Sequence, residues 1–111
     1  MAYDEELAER IRALVNEHDN ADERRMFGGL AFMVDGNMAV CAGGRGGMMV
    51  RVAAADLESF LAREHVEPMV MGGRSSRTWL VVTRDGLRTK RQLRTWVARG
   101  VATARSLPPK S

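Results

Sequence analysis

The side chains of this chain that could carry a reaction are one cysteine and two histidines. Cys41 follows an apolar run, and His18 and His65 are both distant from it in the sequence. Zinc sites usually show paired spacings such as Cys-x-x-Cys, and a nucleophilic cysteine needs an electropositive setting and a histidine base. Neither pattern is present. We therefore predict no catalytic residue, no metal site, no cofactor and no enzymatic activity, with Cys41 in the core or on a sheet face.

Two glycine-flanked segments could bind phosphate. The first, residues 43–47, reads Gly-Gly-Arg-Gly-Gly, but a phosphate-binding loop leads into a helix, and a strand pattern follows here. We therefore predict a flexible hairpin connection. The second, residues 74–77, reads Arg-Ser-Ser-Arg in a predicted loop. This second segment could grip a phosphate or be phosphorylated, or it could be an ordinary surface loop.

The charges are distributed unevenly along the chain. Residues 1–25 carry eight acids and four bases, whereas residues 86–111 carry seven bases and no acid, within a net charge of +3. This asymmetry is typical either of an acidic partner or of two helices of opposite charge lying side by side. On a helical wheel Arg91, Arg94 and Arg105 project from one flank of the apolar stripe, which makes them the candidate interaction surface, and Arg99 projects from the other.

Nucleic-acid-binding proteins group their basic residues on one face, with aromatic residues between them. Here the basic residues are split by the apolar stripe, and Trp96 is expected in the core. We therefore predict only weak, non-specific nucleic-acid binding, or none, that disappears near physiological salt.

The elements that would position these residues follow from the hydrophobic pattern. Asp35-Gly36 between two apolar runs predicts a β-hairpin, and Gly28-Gly29 predicts a bulge or a close backbone approach. Thr89 opens the last helix in a capping box with Gln92. The order is α-β-β-β-α-β-β-α, an α+β class: a helix at about 5–17, strands at 23–34 and 37–42, a strand from Met48, a helix at 53–63, strands at 67–71 and 78–83, and a helix from Thr89 to Leu107.

Seven methionines fall in the predicted sheet. Methionine fills irregular gaps in a core and also lines adaptable binding surfaces, so two interpretations stay open: core packing, or a partly exposed methionine-rich sheet face. The seven are Met26, Met33, Met38, Met48, Met49, Met69 and Met71.

A resemblance to a known family rests on three stretches. The run from Arg25 to Phe32 (Arg-Met-Phe-Gly-Gly-Leu-Ala-Phe), then Gly36-Asn37-Met38, then residues 49–52 (Met-Val-Arg-Val), resembles the TfoX N-terminal domain family (TfoX/Sxy). The similarity extends to residues 106–110 and covers essentially the whole chain. It implies a two-layer fold with a single antiparallel sheet backed by helices. It also implies a regulatory domain, since two-domain members of the family regulate competence genes in bacteria.

This resemblance and the composition together bound the function. We expect a single domain over residues 1–111, without the second domain of the two-domain members, acting in the cytoplasm with no secretory signal and no membrane span. The leading hypothesis is a non-enzymatic regulatory or protein-interaction domain with an unidentified protein partner and self-association as a homodimer. The alternative is a weak nucleic-acid-associated module that uses the basic C-terminal helix. The structural motif is expected at Met26, Phe27, Gly28, Gly29 and Gly36, with Phe27 buried.

Overall fold

The computed structural model describes residues 3–26, 28–43 and 46–109. Over these residues three helices and six strands form an α+β fold, which confirms the predicted class and the predicted succession of helices and strands, with the first predicted strand divided into two. The helices are α1 (Glu5–Val15), α2 (Leu57–Leu61) and α3 (Lys90–Ser106). The strands are β1 (Ala21–Met26), β2 (Gly29–Val34), β3 (Asn37–Ala42), β4 (Met48–Arg51), β5 (Val66–Met71) and β6 (Arg74–Val82). Short 3₁₀ turns, Ala54–Asp56 and Arg84–Leu87, lie just before α2 and α3.

The strands form one antiparallel sheet in the order β1-β2-β3-β4-β6-β5. The segment 23–34, predicted as one interrupted strand, contains the hairpin β1–β2, because Met26 pairs directly with Gly29. Gly28 has φ +75°, a conformation that glycine adopts at little cost and that a tight turn requires. Gly28 therefore lies in the turn and Gly29 begins β2, and the expected burial of Phe27 lies outside the described residues.

The prediction of a loop over residues 74–77 is wrong, because these residues begin β6. Gly72 and Gly73 have φ +58° and +79°, so two glycines are enough to turn the chain, and pairing starts at once between Met71 and Arg74. The exposed edge strand β5 and β6 thus form a hairpin, whose pairing runs from Met71–Arg74 at the turn to Val66–Val82 at the far end.

Other local predictions are confirmed. Asp35 and Gly36 have φ +55° and +79°, and β2 and β3 pair on either side of them. Asp4 caps α1 by accepting a hydrogen bond from the Leu7 amide at 3.1 Å. Thr89 and Gln92 form both hydrogen bonds of the capping box, at 2.9 and 3.0 Å.

All three helices pack against the same face of the sheet and form the main core. Gly100 allows α3 to lie directly on β3, because a Cβ atom at this position would stand 2.6 Å from the carbonyl oxygen of Ala39. This close approach agrees with the place of Gly100 in the apolar stripe of the sequence. No helix of the described chain is long and apolar enough to cross a membrane.

Candidate interaction surface

The sheet has a second face, opposite the helices, on which no described helix or strand packs. Side chains alternate between the two faces of a strand, and β2 and β3 are apolar at both sets of positions except at Asn37, the first residue of β3. Phe32 and Val40 point into the main core. Ala31, Met33 and Cys41 form a separate buried cluster on the other side of the same strands. We call this second side the open face.

The methionines of the open face shield that small cluster. Met26, Met38 and Met49 are partly exposed and pack against Ala31, Met33 and Cys41. Met48, in contrast, is fully buried in the main core. The two interpretations of the methionines thus apply to different residues, because the strand period sends neighbouring positions to opposite faces. Flexible thioether side chains cover the open face in the absence of a packed layer.

One cross-strand row extends across the entire open face. Strand pairing aligns one residue from each of the six strands at the same level. In sheet order the row is Arg24, Ala31, Cys41, Met49, Val81 and Glu67. Four apolar residues therefore lie between a base on one edge strand and an acid on the other. We refer to these six residues as the cross-strand row.

The charged ends of the row are accessible. Arg24 has a side chain that is 58% exposed, and its one ion pair within the described chain is a 3.9 Å contact with Asp22 of the same strand. Glu67 is exposed and forms no ion pair with any described residue. Both groups are therefore available to a partner that covers the open face.

An open cavity of about 570 Å³ extends the apolar surface toward the β5 edge. Its lining includes Met49, Val81 and Glu67 of the cross-strand row. On the same edge strand Val70 and Met71 are 59% and 57% exposed, the large apolar side chains most accessible in the described chain. Contiguous exposed apolar surface of this kind is typical of contact sites.

Cys41 lies in the middle of the row but has no features of a nucleophile. The residue is 1% exposed, and burial raises the pKa of its thiol to about 11, so almost no thiolate forms near neutral pH. Within the described residues, no three histidine, cysteine or acidic side chains form a group suited to a metal ion. The place of Cys41 on a sheet face agrees with its sequence-based prediction.

The structure places the three predicted interaction arginines in different environments. Arg94 donates a 2.9 Å hydrogen bond to Glu17. Arg105 contacts Asp35 at 3.2 Å and donates to the backbone oxygen of Asp19. Only Arg91 of the set has no ion pair in the described chain. Of the two acids that pair with the other two arginines, Glu17 follows α1 and Asp35 lies in the turn between β2 and β3.

A different basic group was missed by sequence reasoning. Arg63, Arg91 and Arg99 line one open cavity of about 440 Å³ beside Trp96. The guanidinium of Arg99 lies 4.5 Å from the ring centre of Trp96 and 4.7 Å from that of Phe60. Burial, together with the charge of Arg63, lowers the pKa of Arg99. The Trp96-x-x-Arg99 spacing on a helix was the available signal, but Arg63 lies just after α2 and no local pattern links it to these two residues.

A comparison with known protein families gives a match over most of the chain. The family model of the TfoX N-terminal domain matches residues 13–104. The matched segment runs from α1 through all six strands to the last turns of α3, so it includes the whole open face. No curated protein matches the chain.

Proposed function

The chain belongs to the TfoX N-terminal domain family, and from this premise we propose that it is a non-enzymatic regulatory domain that binds a protein partner through its open face. The family supports a domain of the competence-regulator type. Action in the cytoplasm is part of the same proposal. The observation that carries it is the sheet itself, which is apolar on both sides but has its helices on one side only.

The burial of Ala31 and Cys41 under methionines supports a contact role for this face. When one face of a sheet is exposed to water, apolar and polar residues normally alternate along its strands, and the polar ones lie on the exposed face. Here the central strands β2 and β3 carry apolar residues toward the open side, and the two charged residues of the cross-strand row, Arg24 and Glu67, lie on the edge strands. An apolar centre with a charged rim is the common anatomy of a protein interface.

A second candidate function is weak binding of nucleic acid. The arginines and aromatic rings around the cavity lined by Arg63, Arg91 and Arg99 favour it. Aromatic side chains that stack on nucleobases and basic side chains that contact phosphates together bind single strands. The pairing of Arg94 with Glu17 and of Arg105 with Asp35 weakens the case for nucleic-acid binding, because arginines neutralised by an acid attract phosphates less. This candidate therefore remains second.

The test is capture of partners from an extract of the protein's own cells, with and without nuclease. We expect a captured protein that survives nuclease treatment and is lost when Met38→Glu and Met49→Glu charge the open face. Ala98→Glu, on the exposed side of α3, is the matched control and should leave capture unchanged. Thermal melts would establish that all variants fold. Equal capture by every variant would contradict the proposal.

A further inference from the structure

The cross-strand row has a symmetry that bears on the identity of the partner. Its two ends carry opposite charges, Arg24 on β1 and Glu67 on β5, and the residues between them are apolar. Neighbouring strands are about 4.8 Å apart, so the two charges are separated by roughly 24 Å across the sheet. Rotation by 180° about an axis parallel to the strands exchanges the two edges of a sheet. A row with this charge order is therefore complementary to its own rotated copy.

We propose that the partner of the open face is a second copy of this chain, related by a two-fold axis parallel to the strands. Arg24 of each copy then faces Glu67 of the other copy. This inference rests on the proposed function, because it uses the open face as the contact surface. A two-fold contact is formed by the same patch on both copies, and a single chain must therefore supply both halves of every charge pair.

The apolar middle of the row suits the same arrangement. Met49 and Cys41 lie next to the centre of the row, so in the pair they would meet Cys41 and Met49 of the rotated copy. The flexible side chain of Met49 can fill the space left between two twisted sheets, which pack face to face at about 30°. Desolvation of the methionines would supply the attraction, and the charge pairs would select the orientation.

The open face has a suitable size. Six strands at about 4.8 Å spacing and about six residues per strand give a plan of roughly 24 by 20 Å. This area is of the same order as the approximately 800 Å² per partner buried in an ordinary stable interface. A smaller dimer contact would leave part of the methionine surface in water.

The charges also favour this axis over one that runs across the strands. An axis across the strands at the level of the row would bring Arg24 against the other Arg24 and Glu67 against the other Glu67. Like charges placed together oppose association. The parallel axis replaces both repulsions with attractions.

Sedimentation equilibrium on charge-reversed variants tests the arrangement. Wild-type protein should be a dimer, and both Arg24→Glu and Glu67→Arg should weaken self-association by about tenfold or more, since each creates two like-charge contacts. An equimolar mixture of the two variants should again form dimers as tightly as the wild type. In the mixed pair one contact keeps its native acid and base, and the other has the same two charges in exchanged places.

The two axes give different results in this experiment. With the axis across the strands, the wild type would already hold two like-charge contacts, so neither single variant would add a repulsion. The mixture would then associate more tightly than the wild type. Weakening in each variant, followed by restoration to the wild-type level in the mixture, is therefore specific to the parallel axis.

Matched controls use the same charge changes away from the row. Arg25→Glu lies on β1 but at a position paired with Leu30 of the main core, and Glu58→Arg lies on the exposed side of α2. Both should remain dimers alone and in mixture.

The outcomes separate this inference from the proposed function. A monomeric wild-type protein at high micromolar concentration overturns the inference, whereas capture of another protein that depends on Met38 and Met49 would still uphold the proposed function. Dimers that weaken in both row variants but are not restored in their mixture also overturn the two-fold arrangement. Dimers unaffected by Met49→Glu would exclude the open face as the dimer contact.

Discussion

Gly29 lies so close to β3 that a Cβ atom added to it would stand 2.4 Å from the carbonyl oxygen of Ala42. Real Cβ atoms do not approach a backbone oxygen this closely, so a larger residue must push β2 and β3 apart at the start of their pairing. The glycine pair of the sequence therefore has two separate roles. Gly28 supplies the positive φ of the turn, and Gly29 supplies the space for the neighbouring strand.

We predict that Gly29→Val lowers the free energy of unfolding by more than about 1 kcal/mol, because the strand backbone would have to shift. Urea denaturation measures the change. Gly43→Ala is the control, since its nearest contact would be an ordinary 3.7 Å, and it should have a smaller effect. An unchanged stability for Gly29→Val would contradict a structural role for this motif.

Gly100 provides a test in which local and tertiary effects have opposite signs. Alanine in a helix interior is more favourable than glycine by about 1 kcal/mol, but a Cβ at position 100 would stand 2.6 Å from both Ala39 O and a methyl group of Val40. We predict that Gly100→Ala destabilises the protein by more than about 1 kcal/mol in spite of its helix propensity. Urea denaturation measures this change too. At exposed Ala98, in contrast, the reverse change to glycine should cost about 1 kcal/mol by propensity alone.

The ion pair between α1 and β1 should make stability depend on pH. Arg12 donates hydrogen bonds of 2.7 and 2.9 Å to the two carboxylate oxygens of Glu23, and these bonds lower the pKa of Glu23 from its ordinary value of 4.5. A carboxyl group whose pKa is lowered by folding stabilises the fold at pH values above its ordinary pKa. This contribution is lost as the pH falls through the lowered pKa. Because the two side chains are 30% and 38% exposed, we expect less than about 1 kcal/mol.

Denaturation of the wild type and of Glu23→Gln between pH 6 and pH 3 measures this contribution. The difference in unfolding free energy between the two proteins should be largest at pH 6 and should shrink toward pH 3. Glu58→Gln, which removes an exposed carboxyl without an ion pair in the described chain, should show no such trend. A constant difference for Glu23→Gln would contradict the role of the pair.

Cys41 should resist thiol reagents in the folded protein. With the pKa raised to about 11 and the side chain 1% exposed, native labelling at pH 8 should be slower than labelling in urea by a factor on the order of a hundred or more. A cysteine placed at exposed position 59 by Ser59→Cys, in a Cys41→Ser background, should react rapidly. Equal rates for Cys41 in folded and unfolded protein would show that its thiol is accessible and reactive.

Binding of nucleic acid should be weak and strongly salt-dependent. We predict measurable binding of single-stranded or duplex DNA at low salt and its loss near physiological salt, since few phosphates can be contacted at once. Fluorescence anisotropy at the two salt concentrations measures this. Binding tighter than micromolar at physiological salt would move the nucleic-acid function to first place.

Two triple variants then locate the contact. Replacing Arg63, Arg91 and Arg99 with alanine should weaken low-salt binding more than replacing Arg91, Arg94 and Arg105, because Glu17 and Asp35 already neutralise the latter two. The melting temperatures of both variants show whether the loss of the Arg99 contacts with Trp96 and Phe60 has destabilised the fold. A greater loss in the second variant would show that ion-paired arginines still bind phosphate.

Local sequence determined most of the elements of this protein. The Asp35-Gly36 turn, the Asp4 cap and the Thr89–Gln92 capping box each depend on residues at most three positions apart, and such short-range chemistry acts in any context. The apolar stripe of α3 likewise follows from its own helical period. These features, with the family resemblance, were enough to predict the fold class.

Tertiary structure decided which residues share a surface. Residues 23–34 are predicted as one interrupted strand but form a hairpin, and residues 74–77 are predicted as a loop but begin β6. Both predictions fail because no local signal indicates which strands pair with each other. The pairing of Arg94 with Glu17 and the alignment of Arg24 with Glu67 join positions tens of residues apart. Strand register and helix placement set these distances, and both depend on packing of the whole core, because no local preference specifies which face of a sheet the helices leave open.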